Sequence, residues 1–239
     1  MTAQLKPFML QAKRFMENKN PERIVECGDA ILWLKSHDKF EGASVVASMP
    51  DISEFTNYSL AQWKEWFTTT AALIMSRCPD DGVAVFYQSD IKYEGVWVDK
   101  AYLVQKAAES VGMEQLWHKV VCRVPAGIAT FGKPSYSHIL CFSKGVRLHD
   151  MSKSTPDVIG DLGDKTWVRG MGLDNCLMIT KFIATHTTST KVVHPFCGEG
   201  SILAAANKNG LDAWGIERSP KRAEKARTLQ ISDDKKWIL

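Results

Sequence analysis

The chain lacks any Cys-x-x-Cys pair or other spacing that would gather cysteines around zinc. Its six cysteines, Cys27, Cys78, Cys122, Cys141, Cys176 and Cys197, are scattered singly along 239 residues, which predicts reduced, buried thiols and no metal site. It also lacks an apolar run long enough to span a bilayer, and the apolar residues near its start are interrupted by Lys6, Lys13 and Arg14. Neither a secretory signal nor a membrane anchor is expected from this pattern, and a cytoplasmic location follows. A large excess of charge of either sign is missing. The net charge is +3 with no basic tail, so any hold on nucleic acid must come from a local patch. Internal repeats and low-complexity segments are missing too.

What remains is an ordinary globular composition, 45% hydrophobic and 24% charged, of a length that suits one full α/β domain or two small ones. Leu5, Phe8, Met9, Ala12, Phe15 and Met16 fall at helical spacing and predict an amphipathic helix. Short apolar runs predict strands at Arg23 to Cys27, Ala43 to Ala47 and Val83 to Tyr87. Helical periodicity spans Leu60 to Ser76 and Val98 to Val111. Gln115 to Arg123 and Tyr136 to Phe142 read as an antiparallel pair, and Arg147 to Asp164 as a polar loop crossing the sheet edge. A helix from Leu173 to about Thr185 follows, then a strand at Val192 and Val193, a helix from Ile202 to Asn209, a strand from Ala213 to Ile216, and a last helix opened by Pro220. Such alternation predicts a mostly parallel sheet with helices on both faces.

The strongest local signal is a strand, then a turn of Pro195, Phe196, Cys197, Gly198, Glu199, Gly200 and Ser201, then a helix. Glycines in such a turn let a ligand approach the backbone, and the helix start presents free N–H groups. Glu217 ends the next strand, where a doubly wound fold receives the ribose of an adenosine-containing ligand. A tight turn beside a solvated glutamate is the plainer reading of the same residues.

The stretch from His194 to Ser201, followed by Gly215, Ile216 and Glu217, resembles the Asp-Pro-Phe-x-Gly-x-Gly-Thr and Gly-Ile-Glu pair of amino-methylating DNA methyltransferases and their RNA-acting relatives. Glu26 to Leu34, leading into Ala47 to Asp51, is similar to that family's Gly-Asp-Ala-x-x-x-Leu and Ser-Pro-Pro-Tyr segments. Thr166 to Gly172 sits where the family closes over the methionine end of its cofactor, and Pro134 to His138 enters a strand like its late one. The motif order is that of the circularly permuted members and covers nearly the whole chain. The resemblance implies a Rossmann-like class I methyltransferase using S-adenosyl-L-methionine. It implies one domain over residues 1–239, with a methyl-transfer half at about 23–143 and a cofactor half at about 165–231.

Roles follow by position within the resemblance. The segment from Pro195 to Ser201, with Gly198 and Gly200 central, would admit the cofactor, and Glu217 would accept its ribose hydroxyls. Asp29 would receive the adenine amino group, although an aspartate there also suits a helix N-cap. Arg169, Gly170, Met171 and Gly172 would touch the methionine portion. Ser48 and the carbonyl beside Pro50 would hold an acceptor amine in line with the donated methyl.

Two positions of the methyl-transfer loop depart from the family pattern, and His194 is a third departure outside it. Met49 replaces a proline, and Asp51 replaces the aromatic residue that stacks on a flipped base. Asp51 becomes a candidate base or acceptor, or alternatively a cap for the helix near Leu60 or its preceding turn. His194, in place of an acidic residue, reads as a satisfied structural histidine.

Asp90 ends the neighbouring strand and joins the candidate catalytic residues, with Lys92, Trp97, Asp99 and Lys100 close by. Arg123, Phe131, Lys133 and Tyr136 combine charge with stacking surface. Trp63, Trp66 and Phe67 fall at core spacing, and Lys221, Arg222, Lys225 and Arg227 read as a solvated helix face. Between Lys144 and Asp164 there is no room for a recognition domain, which argues against a sequence-specific restriction-type enzyme. Structured RNA, tRNA or rRNA, is therefore the expected acceptor. DNA methylation with a partner subunit, a non-nucleic-acid acceptor and a non-catalytic cofactor-binding subunit stand as alternatives.

Overall fold

The computed structural model describes residues 20–149, 154–167 and 170–238. The helix expected from Leu5 to Met16, and Arg169 of the cofactor segment, lie outside the described residues.

Eight strands form one sheet: β1 (Arg23–Cys27), β2 (Ala43–Ala47), β3 (Ala84–Gln88), β6 (Glu114–Cys122), β7 (Tyr136–Ser143), β8 (Val158–Ile159), β9 (Lys191–Pro195) and β10 (Asp212–Glu217). Their spatial order is β1-β10-β9-β2-β3-β7-β6-β8. Every neighbouring pair is parallel except the two that involve β7. The first described strand, β1, therefore pairs with β10 from near the other end of the chain, Cys27 opposite Glu217. The circular order expected from the sequence is thus built into the sheet.

Alternation along the strands decides the two layers. Val45, Ala47, Phe86, Leu140 and Phe142 face one core with α1 (Ala30–Lys35), α2 (Leu60–Ser76) and α3 (Lys100–Ser110). Val46, Val85, Ile139 and Cys141 face the other, with α4 (Leu173–His186), α5 (Ser201–Lys208) and α6 (Pro220–Thr228). The Ala43–Ala47 segment is buried at all five positions, as a strand covered on both faces is, and its one polar residue, Ser44, is satisfied by Ser189 at 2.8 Å. Trp63 and Phe67 are fully buried in the first core, as their spacing predicts. Among the described residues no helix is long and apolar enough to cross a membrane.

Differences from the sequence reading are local. The chain after Asp90 forms a hairpin of β4 (Ile91–Tyr93) and β5 (Val96–Val98), so α3 starts at Lys100 and not at Val98. Glu94 and Gly95 turn it with positive φ of 50° and 80°, the conformation that a two-residue hairpin requires. The loop after Arg147 lays β8 alongside β6. Past α6, β11 (Gln230–Ile231) and β12 (Trp237–Ile238) form a second small hairpin.

Candidate active site

Every parallel strand that carries a candidate residue delivers it at its C-terminal end. β9 lies between β10 and β2, so the glycine turn after β9 is flanked by Glu217 on one side and by the Ser48–Asp51 loop on the other. This is the crevice where open α/β sheets bind ligands.

The turn is unusually shaped for its sequence. Phe196, Gly198 and Gly200 all have positive φ, 67°, 56° and 86°, and for phenylalanine that conformation is strained. Its ring reaches toward Trp66 of α2, centroids 6.4 Å apart. A Cβ on Gly200 would lie 2.7 Å from the Cα of Ala226, so this glycine lets α6 close on the loop. A Cβ on Gly198 would meet nothing within 4 Å, so Gly198 faces open space. Glu217 turns back onto the loop: Oε2 accepts the Gly198 N–H at 3.0 Å and Oε1 accepts the Ser219 N–H at 2.9 Å. Each carboxylate oxygen still has a second acceptor direction. Glu199 is held by Lys225 of α6 at 3.0 Å.

Other members of the turn offer only backbone. Pro195 is buried within β9. Cys197 is buried, and burial pushes its thiol up to about 12. A Cβ on Gly215 would sit 2.9 Å from the Cys197 sulfur, which accounts for that glycine. Ser201 opens α5, its hydroxyl 3.5 Å from that of Thr166, so the 166–172 segment does reach the turn. Within that segment packing explains the glycines. A Cβ on Gly172 would fall 1.7 Å from the Leu162 carbonyl oxygen, and one on Gly170 2.9 Å from the Trp167 ring. Met171 buries its side chain in the second core. Asp29 caps α1, with Oδ1 accepting from Ile31 and Leu32 N–H at 2.8 and 3.0 Å, which is the capping geometry considered from the sequence; its other oxygen is not used in the cap.

Beyond β2, Ser48 and Pro50 are partly exposed while Met49 points into the first core. Asp51 starts a 3-10 turn, Ile52–Glu54, its N–H donating to Glu54 Oε1 at 3.4 Å. Ser59 caps α2, and Asp51 caps the preceding turn in a capping box with Glu54, the second of the two capping places its sequence position allows. The Asp51 carboxylate is taken by Lys100, whose Nζ donates to Oδ2 at 3.1 Å. Lys100 is only 3% exposed and lies 5.5 Å from the centre of the Trp63 ring. Burial pushes its pKa below the ordinary lysine value, against the pull of Asp51, Asp90 and Glu54.

Asp90, expected among the catalytic residues, is buried and already saturated with donors. Oδ1 accepts the Lys100 N–H at 2.8 Å, and Oδ2 accepts from His138 Nε2 at 3.0 Å, Trp97 Nε1 at 3.3 Å and Tyr136 OH at 3.4 Å. His138 Nδ1 then meets His118 Nε2 at 2.9 Å. Burial works against ionisation of Asp90, but His138, the Lys100 N–H and Trp97 outweigh it and hold the carboxyl below its ordinary value. The geometry gives Asp90 an organising part: it fixes the β4–β5 hairpin, the start of α3 and the entrance to β7. Asp90, Asp99 and His138 come within 4.8 Å of one another, yet Asp90 and His138 are bonded together and Asp99 caps α3 at Tyr102 N. The two histidines carry no signal in the sequence because their contact depends on the β6–β7 register.

His194 is buried and donates from Nδ1 to the Pro195 carbonyl at 2.8 Å, and burial pushes it down to about 4. It is a satisfied neutral histidine, as its sequence context predicts. The basic face of α6 is not simply solvated: Arg222 lies over the Trp167 ring at 4.4 Å, Lys225 holds Glu199, and Arg227 donates to the Val25 carbonyl at 3.0 Å. Phe131 stands 96% exposed on the β6–β7 loop between Arg123 and Lys133.

The sheet order and the loops on its C-terminal edge define the doubly wound methyltransferase fold in circularly permuted form. No protein-family model matches the chain, and no curated protein matches it in sequence. Among solved structures, a putative DNA modification methylase from Thermus thermophilus is 18% identical with a TM-score of 0.66, covering 85% of this chain and 92% of that one. The same methylase is also known complexed with S-adenosyl-L-methionine. PvuII DNA methyltransferase, cytosine-N4-specific, is 18% identical with a TM-score of 0.63 over 90% of this chain and 92% of its own. The M1.HpyAVI–SAM complex gives 16%, 0.60, 86% and 98%. At these identities the likeness is one of fold.

Proposed function

We propose that the chain is an S-adenosyl-L-methionine-dependent methyltransferase that modifies an amino nitrogen of a nucleic-acid base. The observation that carries this reading is the adjacency of two loops on neighbouring strands. The open turn at Gly198, with Glu217 beside it, follows β9, and the Ser48–Asp51 loop follows β2, to which β9 is paired. When bound, the cofactor supplies a methyl group activated on a sulfonium sulfur. The chain supplies the rest. Glu217 accepts ribose hydroxyls with its free acceptor directions, Gly198 leaves room for the adenosine, and Asp29 offers its second oxygen to the adenine amino group. Ser48 and the carbonyl beside Pro50 accept N–H bonds from the acceptor amine and place its lone pair in line with the methyl carbon.

A nucleic-acid acceptor is supported by the surface around these loops. Tyr58, Trp97, Tyr102 and Phe131 are exposed on segments at or beside this edge, with Lys92, Lys64, Lys106, Arg123 and Lys133 nearby in sequence or space. Rings interleaved with cations suit unstacked bases and phosphates. DNA is favoured over RNA because the similar solved structures bear the names of DNA methylases, and the expectation of tRNA or rRNA draws no support from them. Calorimetry with S-adenosyl-L-methionine and its demethylated product, followed by competition between duplex DNA and folded RNA for the loaded protein, tests this reading. Micromolar cofactor binding and preferential retention of DNA are expected; no cofactor binding would overturn the reading, and retention of RNA alone would overturn the choice of DNA.

A further inference from the structure

Lys100 occupies a place that is disfavoured on three counts, two electrostatic and one entropic. It is buried, and lysine is almost never fully buried unless paired. It is the first residue of α3, where the helix macrodipole repels a cation. Its stem must also be ordered to hold a single geometry, at a cost in side-chain entropy. A residue that breaks several local rules is where function concentrates. Its ammonium is directed to the methyl-transfer loop, 3.1 Å from Asp51 Oδ2. The neighbouring face of α2 offers an uncharged ring, Trp63, while Asp90 anchors the Lys100 backbone and not its amine. Glu54 contributes at longer range. Asp51 is thus fixed from behind by Lys100 and tied to Glu54 in a capping box, while one-third of its side chain stays exposed.

We infer that Lys100 is a positioning residue for Asp51, and that the pair restricts the acceptor to groups presenting an N–H to the exposed edge of the Asp51 carboxylate. The inference rests on the methyltransferase reading above and deepens it. With Oδ2 held by Lys100, the Asp51 carboxylate accepts one of the acceptor's two N–H bonds and leaves the other to Ser48 or the carbonyl beside Pro50, so that the nitrogen lone pair faces the methyl carbon. As the N–C bond forms, the S–C bond breaks and its electron pair stays on sulfur. The nitrogen, now cationic, gives its proton to Asp51, from which it passes to water. Lys100 keeps its own proton throughout and stabilises the carboxylate before and after the step. A residue that stacks on a base, as an aromatic side chain would at this position, cannot perform this selection, whereas Asp51 can, with the Lys100 cation behind it.

The test uses the full chain with Lys100→Met, Lys100→Arg and Asp51→Asn. Methionine keeps the length of the stem and removes a buried charge, so Lys100→Met should fold. Hydrogen exchange is measured first, because it needs no activity. In Lys100→Met, amides of residues 48–54 should exchange at least tenfold faster, with β1 and β9 unchanged and cofactor affinity within twofold of wild type. Methyl transfer to the DNA substrate should then lose roughly 10²-fold in kcat with little change in KM. The double variant should be no slower than Asp51→Asn alone, because both remove one device. Lys100→Arg should recover much of the rate. Unchanged exchange at 48–54, or single losses that multiply in the double variant, would overturn the inference. If the wild type binds no cofactor, the methyltransferase reading fails, while the exchange result still decides whether Lys100 holds the loop.

Discussion

Gly198 and Gly200 sit two residues apart in one turn and face opposite surroundings: a side chain on the first would enter open space, and a side chain on the second would strike the backbone of Ala226. Both have positive φ, so alanine costs about 1–2 kcal/mol at either from backbone strain alone. Gly200→Ala adds overpacking against α6, worth another 1–3 kcal/mol or so. Chemical denaturation should find Gly200→Ala the less stable of the two, while calorimetry should find the larger relative loss of cofactor affinity, roughly tenfold or more, in Gly198→Ala. Equal affinity in Gly198→Ala and wild type would mean that the space above Gly198 is not the cradle.

Glu217 carries two tasks, shaping the turn through the Gly198 and Ser219 N–H groups and receiving the ribose. Hydrogen bonds to a charged group contribute about 1.5–3 kcal/mol each. Glu217→Ala should therefore weaken cofactor binding by roughly 10- to 100-fold, and Glu217→Gln by less, since the amide keeps one acceptor oxygen. Calorimetry across the three proteins checks the order; a Glu217→Ala protein that binds as wild type would remove the ribose assignment.

Asp90 is predicted to be architectural. Its two oxygens satisfy four donors from the hairpin, α3 and β7, and stranding those donors costs about 3 kcal/mol or more. Asp90→Ala should lower the urea midpoint strongly, and Asp90→Asn should lower stability at least as clearly as it lowers turnover. An Asp90→Asn protein of wild-type stability whose turnover has collapsed would return Asp90 to the catalytic set.

His194 makes stability depend on pH in a defined window. Its folded pKa of about 4 lies below the ordinary 6.5, so the unfolded chain takes up a proton that the folded one refuses. The sign is therefore fixed: the contribution is complete above about 6.5 and is lost as pH falls toward about 4, amounting to something on the order of 3 kcal/mol. Urea unfolding at several pH values should show this slope in wild type and its flattening in His194→Asn. A wild-type slope unaffected by that substitution would assign the acid sensitivity elsewhere.

Much of this architecture is legible in the residues. The short run at Ala43–Ala47, four apolar residues and one serine, reads as a strand buried on both faces, and the spacing of Trp63, Phe67, Ala71 and Ile74 as a core-facing helix. The glycine turn and Glu217 stand out because both answer to a backbone requirement that few residue types meet. Less legible are elements too short to show a period, such as β4 and β5, although the Glu94–Gly95 turn is a usable signal. The Asp90–His138–His118 network is invisible, because residues 90, 118 and 138 meet only through strand register. Lys100 shows in the sequence merely as a neighbour of Asp90; its burial and its reach to Asp51 depend on how α3 lies over α2, which no local pattern reports.

The central claim is that this chain transfers a methyl group to an amino nitrogen of a nucleic-acid base. Incubating the purified protein with methyl-labelled S-adenosyl-L-methionine and, in parallel, duplex DNA, folded RNA and protein, then digesting the nucleic acid to nucleosides for mass spectrometry, measures it directly. The account predicts label in an N-methylated nucleoside from the DNA, abolished by Glu217→Ala at limiting cofactor and strongly reduced by Asp51→Asn. Label confined to protein, label on a ring carbon, or cofactor binding with no transfer to any fraction would contradict it.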